Sequence, residues 1–163
     1  MKPEKVKQIT AAGLLAALAV ALSVLEGLLP PLPVPGAKPG LANLAVMAAL
    51  LMVSLPCAAG VTAVKAGFAL LRGPLAFCMS AAGSALALLA MAGVRRAFGG
   101  RISCISLGLV GAVAHNTGQW LAAFLLFGSA MVYYAPLLVL LALPAGALTG
   151  AVMALVKPFL QKF

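Results

Sequence analysis

Residues 41–71 read LANLAVMAALLMVSLPCAAGVTAVKAGFALL, an apolar stretch of about thirty residues interrupted by Pro56. A helix needs about 20 apolar residues to cross roughly 30 Å of hydrocarbon. The stretch is therefore too long for one ordinary span and short for two. The charges on either side of it decide between them. If it forms two spans, both termini are cytoplasmic, and Lys2, Lys5, Lys7, Arg95, Arg96, Arg101, Lys157 and Lys162 all lie inside. Only Lys38 and Arg72 then lie outside. A single span would move the Arg95–Arg101 cluster and the C-terminal lysines outside and reverse the positive-inside bias. The stretch is read as two spans.

The rest of the chain agrees with a membrane setting. Of 163 residues, 64% are hydrophobic and 8% charged, and there is no aspartate. Soluble domains carry roughly 25% charged residues, so this alphabet does not build a water-facing surface. The expected fold is all-α and integral to the membrane: one domain over 1–163, a compact bundle of about six transmembrane helices with cytoplasmic termini. Spans are expected at about 8–29, 41–55, 57–71, 75–94, 104–127 and 133–156. The length of the first run favours an uncleaved span over a signal peptide.

The net charge of +9 does not point to nucleic acid. Its basic residues sit in short clusters between apolar runs rather than on one face. Cys57, Cys78 and Cys104 are isolated and have no ligand spacing, so no metal or other cofactor is expected. Between the first two spans, Pro30 to Gly40 holds five prolines and two glycines. Because proline fixes φ, this outer connection should be a stiff, partly extended lid. Tyr133 and Tyr134 are expected at the outer surface, as an aromatic belt.

Small residues recur at four-residue intervals: Ala12 and Ala16, then Gly13, Ala17 and Ala21 on the first span, and Gly146 and Gly150 on the last. Such stripes let helix backbones approach closely in lipid. Two readings stand for the first span, packing inside the bundle and docking of another membrane protein.

The polar residues within apolar spans carry the functional signal. Lys65 lies halfway along the third span, where a charge costs about 2.5–3.5 kcal/mol. His115, Asn116 and Gln119 lie in the middle and outer part of the fifth, Glu26 near the outer end of the first and Asn43 at the outer start of the second. Ser80 and Ser84 lie in the outer half of the fourth. His115 and Gln119 share a helix face, as do Ser80 and Ser84. In this topology the strongly polar groups all fall in the middle or outer half. Each also has a structural reading. Glu26 and Lys65 can neutralise each other, Asn43 can cap its helix, Ser80 and Ser84 can bond their own backbone, and Arg72 can snorkel. The His-Asn-x-x-Gln group is harder to explain structurally, since unpaired buried polar groups are costly.

Three blocks carry a resemblance: Pro35 to Asn43 (PGAKPGLAN), Ser80 to Ser84 (SAAGS) and Gly111 to Gln119 (GAVAHNTGQ). They resemble the signature blocks of the bacterial membrane family labelled heptaprenyl diphosphate synthase component I, also called the Gx transporter family. The resemblance runs from about Ala11 to Val156. Lys38-Pro39-Gly40 stands where the family usually has Lys-Leu-Gly, and Lys65 where it often has arginine. The family looks like the substrate-binding S components of energy-coupling factor (ECF) transporters. That resemblance implies six helices, an outward-facing pocket and a multi-pass protein of the bacterial inner membrane. It also implies docking on a transmembrane coupling protein, served by ATPases, through Ala12, Ala16, Gly13, Ala17 and Ala21.

Two functions follow as expectations. In the first, the chain is a transport component that binds a small anionic or carbonyl-rich substrate. Lys65, His115, Lys38 and Arg72 supply positive or donor groups, and Asn43, Asn116, Gln119, Ser80 and Ser84 supply amides and hydroxyls. Glu26 orients Lys65 or meets the ligand. No phosphate-binding loop occurs, so an ATP-driven step must come from a partner. In the second, the chain is a non-catalytic membrane subunit associated with polyprenyl diphosphate or quinone synthesis or membrane electron transfer, beside a prenyl synthase subunit. Holding Mg²⁺ on a diphosphate needs carboxylate oxygens, and only Glu4 and Glu26 are available. The chain is therefore not expected to be an enzyme.

Overall fold

A computed structural model describes residues 3–30, 38–99 and 101–160. Every regular element among them is helical: α1 (Pro3–Gly27), α2 (Asn43–Met52), α3 (Leu55–Leu70), α4 (Pro74–Ala97), α5 (Cys104–Phe127) and α6 (Ala135–Leu160). A short 3₁₀ helix, Ser129–Tyr134, precedes α6 and takes up Tyr133 and Tyr134, which were expected to open the last span. Of the stiff lid expected over Pro30 to Gly40, residues 31–37 lie outside the described residues.

The division at Pro56 is observed. Ser54 is extended (φ −169°, ψ 163°) and caps α3, its hydroxyl accepting from the Cys57 N–H at 3.2 Å. Pro56 stands in the first turn, where a missing N–H costs nothing. Within the segment expected over 41–55 the helix covers Asn43–Met52. With 10 residues, α2 is about 15 Å long, half of what a crossing needs. It touches each of the other five helices, and Asn43 and Ala45 to Leu50 are all buried. A helix that is apolar all round belongs inside, and α2 is the centre around which the others stand.

Neighbours in sequence are neighbours in space. α1 packs on α2 and α3, α3 on α4, α4 on α5 and α5 on α6. Helices α1, α4 and the last segment (Ser129–Phe159) are long and apolar enough to cross a membrane by length and composition. With 24 residues α5 has the length too, but the polar groups from His115 to Gln119 dilute its hydropathy. Large apolar side chains cover the exterior, among them Leu14, Leu28, Leu71, Leu89, Leu125 and Leu155. The interior is built from small residues and methionine: Ala45, Ala49, Ala58, Met47, Met91 and Met153.

The α5–α6 contact explains the glycines of the last helix. A Cβ on Gly150 would lie 2.5 Å from the Ile105 Cα, and one on Gly108 would lie 2.5 Å from the Gly146 carbonyl oxygen. The two backbones touch there. The stripes of α1 behave differently. Ala12 and Ala16 are half-buried, whereas Gly13, Ala17 and Ala21 are exposed, and a Cβ on Gly13 would meet nothing within 4 Å. Gly150→Leu should therefore force α5 and α6 apart, costing about 1–3 kcal/mol as overpacking does, while Gly13→Leu leaves stability unchanged. Thermal unfolding in detergent followed by circular dichroism checks this, and equal midpoints for the two variants would contradict the packing.

Candidate functional site

The polar residues of four helices meet at the N-terminal end of α2, where non-helical backbone enters the bundle. Backbone groups buried there need partners. From α1, buried Glu26 turns its carboxylate toward the N–H groups of Gly40, Leu41 and Ala42, with the Ala42 N–H donating to Oε1 at 3.4 Å. A carboxylate at a helix N-terminus also meets the positive end of the helix dipole. Glu26 thus does the capping that was the structural reading of Asn43. The residue preceding the helix, Ala42, makes no side-chain cap.

Asn43 instead turns to α3. The Lys65 Nζ donates to its Oδ1 at 2.6 Å, both residues being buried. Among the described residues no ion pair within 4 Å joins Lys65 to Glu26, although the two feel each other electrostatically. The neutralising pair considered from sequence is a pair of neighbours with separate partners.

His115 is held by absent side chains. A Cβ on Gly40 would come within 2.9 Å of its ring Cδ2, and one on Gly83 within 2.8 Å of Cε1 and Nδ1. Gly40 has φ +92°, a conformation that favours glycine. The ring lies between two glycines, one from the α1–α2 connection and one from α4. One turn further on, the Gln119 Oε1 accepts from the Lys38 N–H at 3.3 Å. The Lys38 Nζ donates to the Ser23 carbonyl oxygen at 3.4 Å. Lys38 thereby bridges α1 and α5 over the top of the cluster.

These groups surround a small cavity lined by Ser23, Glu26, Lys38, Lys65, Arg72, Ala76, Ser80, His115 and Gln119. Its free space, about 10 Å³, suits a single water. Seven of the ten residues expected at the site from sequence line it. Asn43 stands behind Lys65. Ser84 is fully buried outside the lining, its hydroxyl without a partner. Asn116 faces the opposite way, its Nδ2 donating to the Leu138 carbonyl oxygen at 2.7 Å and tying α5 to α6. Sequence reading missed Ser23, although its place three residues before Glu26 puts it on the same helix face. Asn43 Nδ2, Ser84 Oγ, His115 Nδ1 and Asn116 Oδ1 are buried without partners, an unusual concentration given how costly each such group is. Three cations (Lys38, Lys65, Arg72) and one carboxylate (Glu26) line the space, so the site is net positive and donor-rich.

If Glu26 serves the α2 amides, Glu26→Ala leaves them unpaired at about 1–3 kcal/mol, whereas Glu26→Gln keeps an acceptor and loses less. Thermal midpoints in detergent should fall in that order. Equal losses for the two variants, with full rescue by Lys65→Met, would restore the ion-pair reading.

No curated protein and no solved structure matches the chain. Residues 15–156 match a family described as heptaprenyl diphosphate synthase component I, a span that contains every helix contact of the cluster. The chain belongs to the heptaprenyl diphosphate synthase component I family.

Proposed function

We propose that the protein is an integral membrane component, one domain with both termini cytoplasmic, that binds a small anionic or carbonyl-rich molecule in the cavity at the head of α2. The carrying observation is one space lined by three cations, a carboxylate and the His115 ring, whose buried Nδ1 has no partner. A purely structural network would pair its members; here the Lys65 ammonium, the His115 ring and the Gln119 amide converge on a void. With room for one water, the conformation described is closed, and a larger ligand enters once the Lys38 bridge to Ser23 and Gln119 opens. The apolar exterior supports the membrane setting, since contiguous apolar surface of this kind marks membrane or partner contact. A transport role of the ECF S-component kind follows by analogy. In that role the exposed Gly13, Ala17 and Ala21 are the docking face toward a coupling protein, and the half-buried Ala12 and Ala16 pack inward.

The family description favours a second reading, a membrane subunit that accompanies a prenyl diphosphate synthase and leaves the chemistry to its partner. Two glutamates, one of them engaged with the α2 amides, suit that division of labour.

Two measurements test these readings. Single cysteines at positions 38 and 98, in a background without the three native cysteines, should label oppositely on intact cells. An impermeant maleimide should reach position 38 alone, and labelling at 98 from outside reverses the orientation. Native mass spectrometry of protein extracted in mild detergent should find a small anion on the wild type. Lys65→Met and Gly83→Ala, the latter placing a methyl against the His115 ring, should carry none while staying folded. Retention of the anion by both variants removes the site.

A further inference from the structure

A second opening lies at the other end of α2. A groove of about 620 Å³ runs between the α2–α3 turn and the C-terminal half of α4, lined by Leu50, Leu55, Leu89, Gly93, Arg95 and Arg96 among others. One end carries two guanidinium groups, and the walls are aliphatic. Leu89 is 69% exposed and Leu55 50%, so both border the groove and the apolar exterior at once. What fills the groove can therefore continue along the outside of the bundle.

The Arg95 Nη1 donates to the Leu50 carbonyl oxygen, an end-of-helix acceptor of α2. One of its five donors is thereby fixed, and the rest of the fork is held beside the groove. Arg96 is exposed next to it. The chain's two acidic residues are Glu26, at the far end of α2, and Glu4, on α1, which touches α2 and α3 but not α4. The groove thus holds cations and no carboxylate from its own walls. Guanidinium groups in that setting suit the oxygens of a phosphate. A zwitterionic head would bring its own ammonium to a place that already holds only positive charge.

The spacing of charge and leucine matches one surface that the protein always meets in a membrane. Leu89, Gly93 and Arg96 follow at i, i+4 and i+7 on one side of α4. A Cβ on Gly93 would meet nothing within 4 Å, so the glycine leaves a notch between the leucine and the charge. From Leu89 to Arg96 the helix rises about 10 Å. The headgroup layer on one side of a bilayer is about 5–8 Å deep. A phosphate on the arginines then has its glycerol in the notch and its first acyl carbons at Leu89. The groove has space for about twenty water-sized groups, which takes a phosphate, a glycerol and the beginnings of the chains. The remainder of each chain lies outside, along the exposed leucines.

We propose that this groove is a site for an anionic phospholipid of the bilayer, its phosphate on Arg95 and Arg96, its glycerol at Gly93 and its chains along Leu89 and Leu55. The proposal rests on the membrane setting proposed above, in which these arginines stand at the cytoplasmic surface, where anionic headgroups attract basic side chains. It does not rest on the ligand cavity around Lys65. A lipid seated here joins the α2–α3 turn to α4 through both its head and its chains, at the end of α2 away from Glu26.

The test titrates the full-length protein, stripped of lipid in a neutral detergent, with dioleoylphosphatidylglycerol and with dioleoylphosphatidylcholine, which has the same chains and phosphate but a cationic head. Binding is read by native mass spectrometry and by the rise in thermal midpoint that a native-state ligand causes. The anionic lipid should bind saturably and at least tenfold more tightly than the zwitterionic one. Arg96→Gln and Gly93→Phe should each weaken it at least tenfold. Lys157→Gln removes one charge from the same expected side of the membrane, on α6, which does not touch α4, and should bind as the wild type does. Midpoints without lipid establish that each variant is folded, and Arg95 is left intact because it also holds the end of α2. Undiminished binding to either groove variant overturns the proposal, as does no binding at all. An equal loss in Lys157→Gln overturns it by showing attraction to net charge alone. Equal binding of the two lipids, or of soluble glycerol phosphate, does the same, since the head charge or the chains then go unrecognised. Labelling of position 98 from outside reverses the orientation but leaves this binding result as it is, so the two proposals fail separately.

Discussion

The carboxylate of Glu26 makes the rest of the arrangement possible. A non-helical segment enters the helical bundle at residues 38–42, and the N–H groups buried there need partners. By facing the amides of Gly40, Leu41 and Ala42, Glu26 satisfies that backbone and fixes where α2 begins. From that origin the other positions follow. Asn43 meets Lys65, Gly40 leaves space for the His115 ring, and Lys38 reaches Gln119. Irregular backbone inside a helical bundle is tolerated where other protein groups satisfy it, and here Glu26 does so.

Around this centre the bundle is uneven. On one side α4, α5 and α6 are locked by glycine contacts that bring backbones together: Gly118 on Ala82 and Gly83, and Gly108 on Gly146 and Gly150. On the other side α1 meets only α2 and α3, and much of its surface is open. The cluster spans this divide. Its histidine and glutamine stand on the locked half and its glutamate on the looser one, joined through the Lys38 bridge. At the other end of α2 the Leu50 carbonyl accepts from Arg95, so the short central helix has a polar contact at each end.

What the sequence revealed of this depended on which physical signal each feature emits. Helix number came through clearly, because Pro56, the Arg72-Gly73-Pro74 turn and the distribution of lysine and arginine all mark boundaries. The status of α2 did not. Its apolar residues show no preferred side, and that pattern reads equally as a lipid-facing span or a wholly surrounded helix; only the packing of five neighbours separates them. Residues on a shared face, His115 with Gln119 and Ser80 near both, were legible by periodicity. Asn116 carried the same polar signal but points about 100° away, to α6. The partner of Glu26 was illegible, because backbone amides 16 residues away leave no mark on side-chain composition. Ser23 was overlooked because a lone serine on an alanine-rich helix draws no notice.

The sequence separations of the polar contacts also have a meaning in time. Glu26 and Ala42 are 16 residues apart, Asn43 and Lys65 22, and Lys38 and Gln119 81. A chain emerging from the ribosome can close them only in that order, and contacts between distant segments are also the slower to form. The carboxylate can therefore find its amides while most of the protein is still unmade, and Lys65 can then find its amide oxygen. The bridge that roofs the cavity waits for the fifth helix. Assembly of the site is thus a late event of biosynthesis, and a truncated product ending before α5 would have its charges in place and no roof over them.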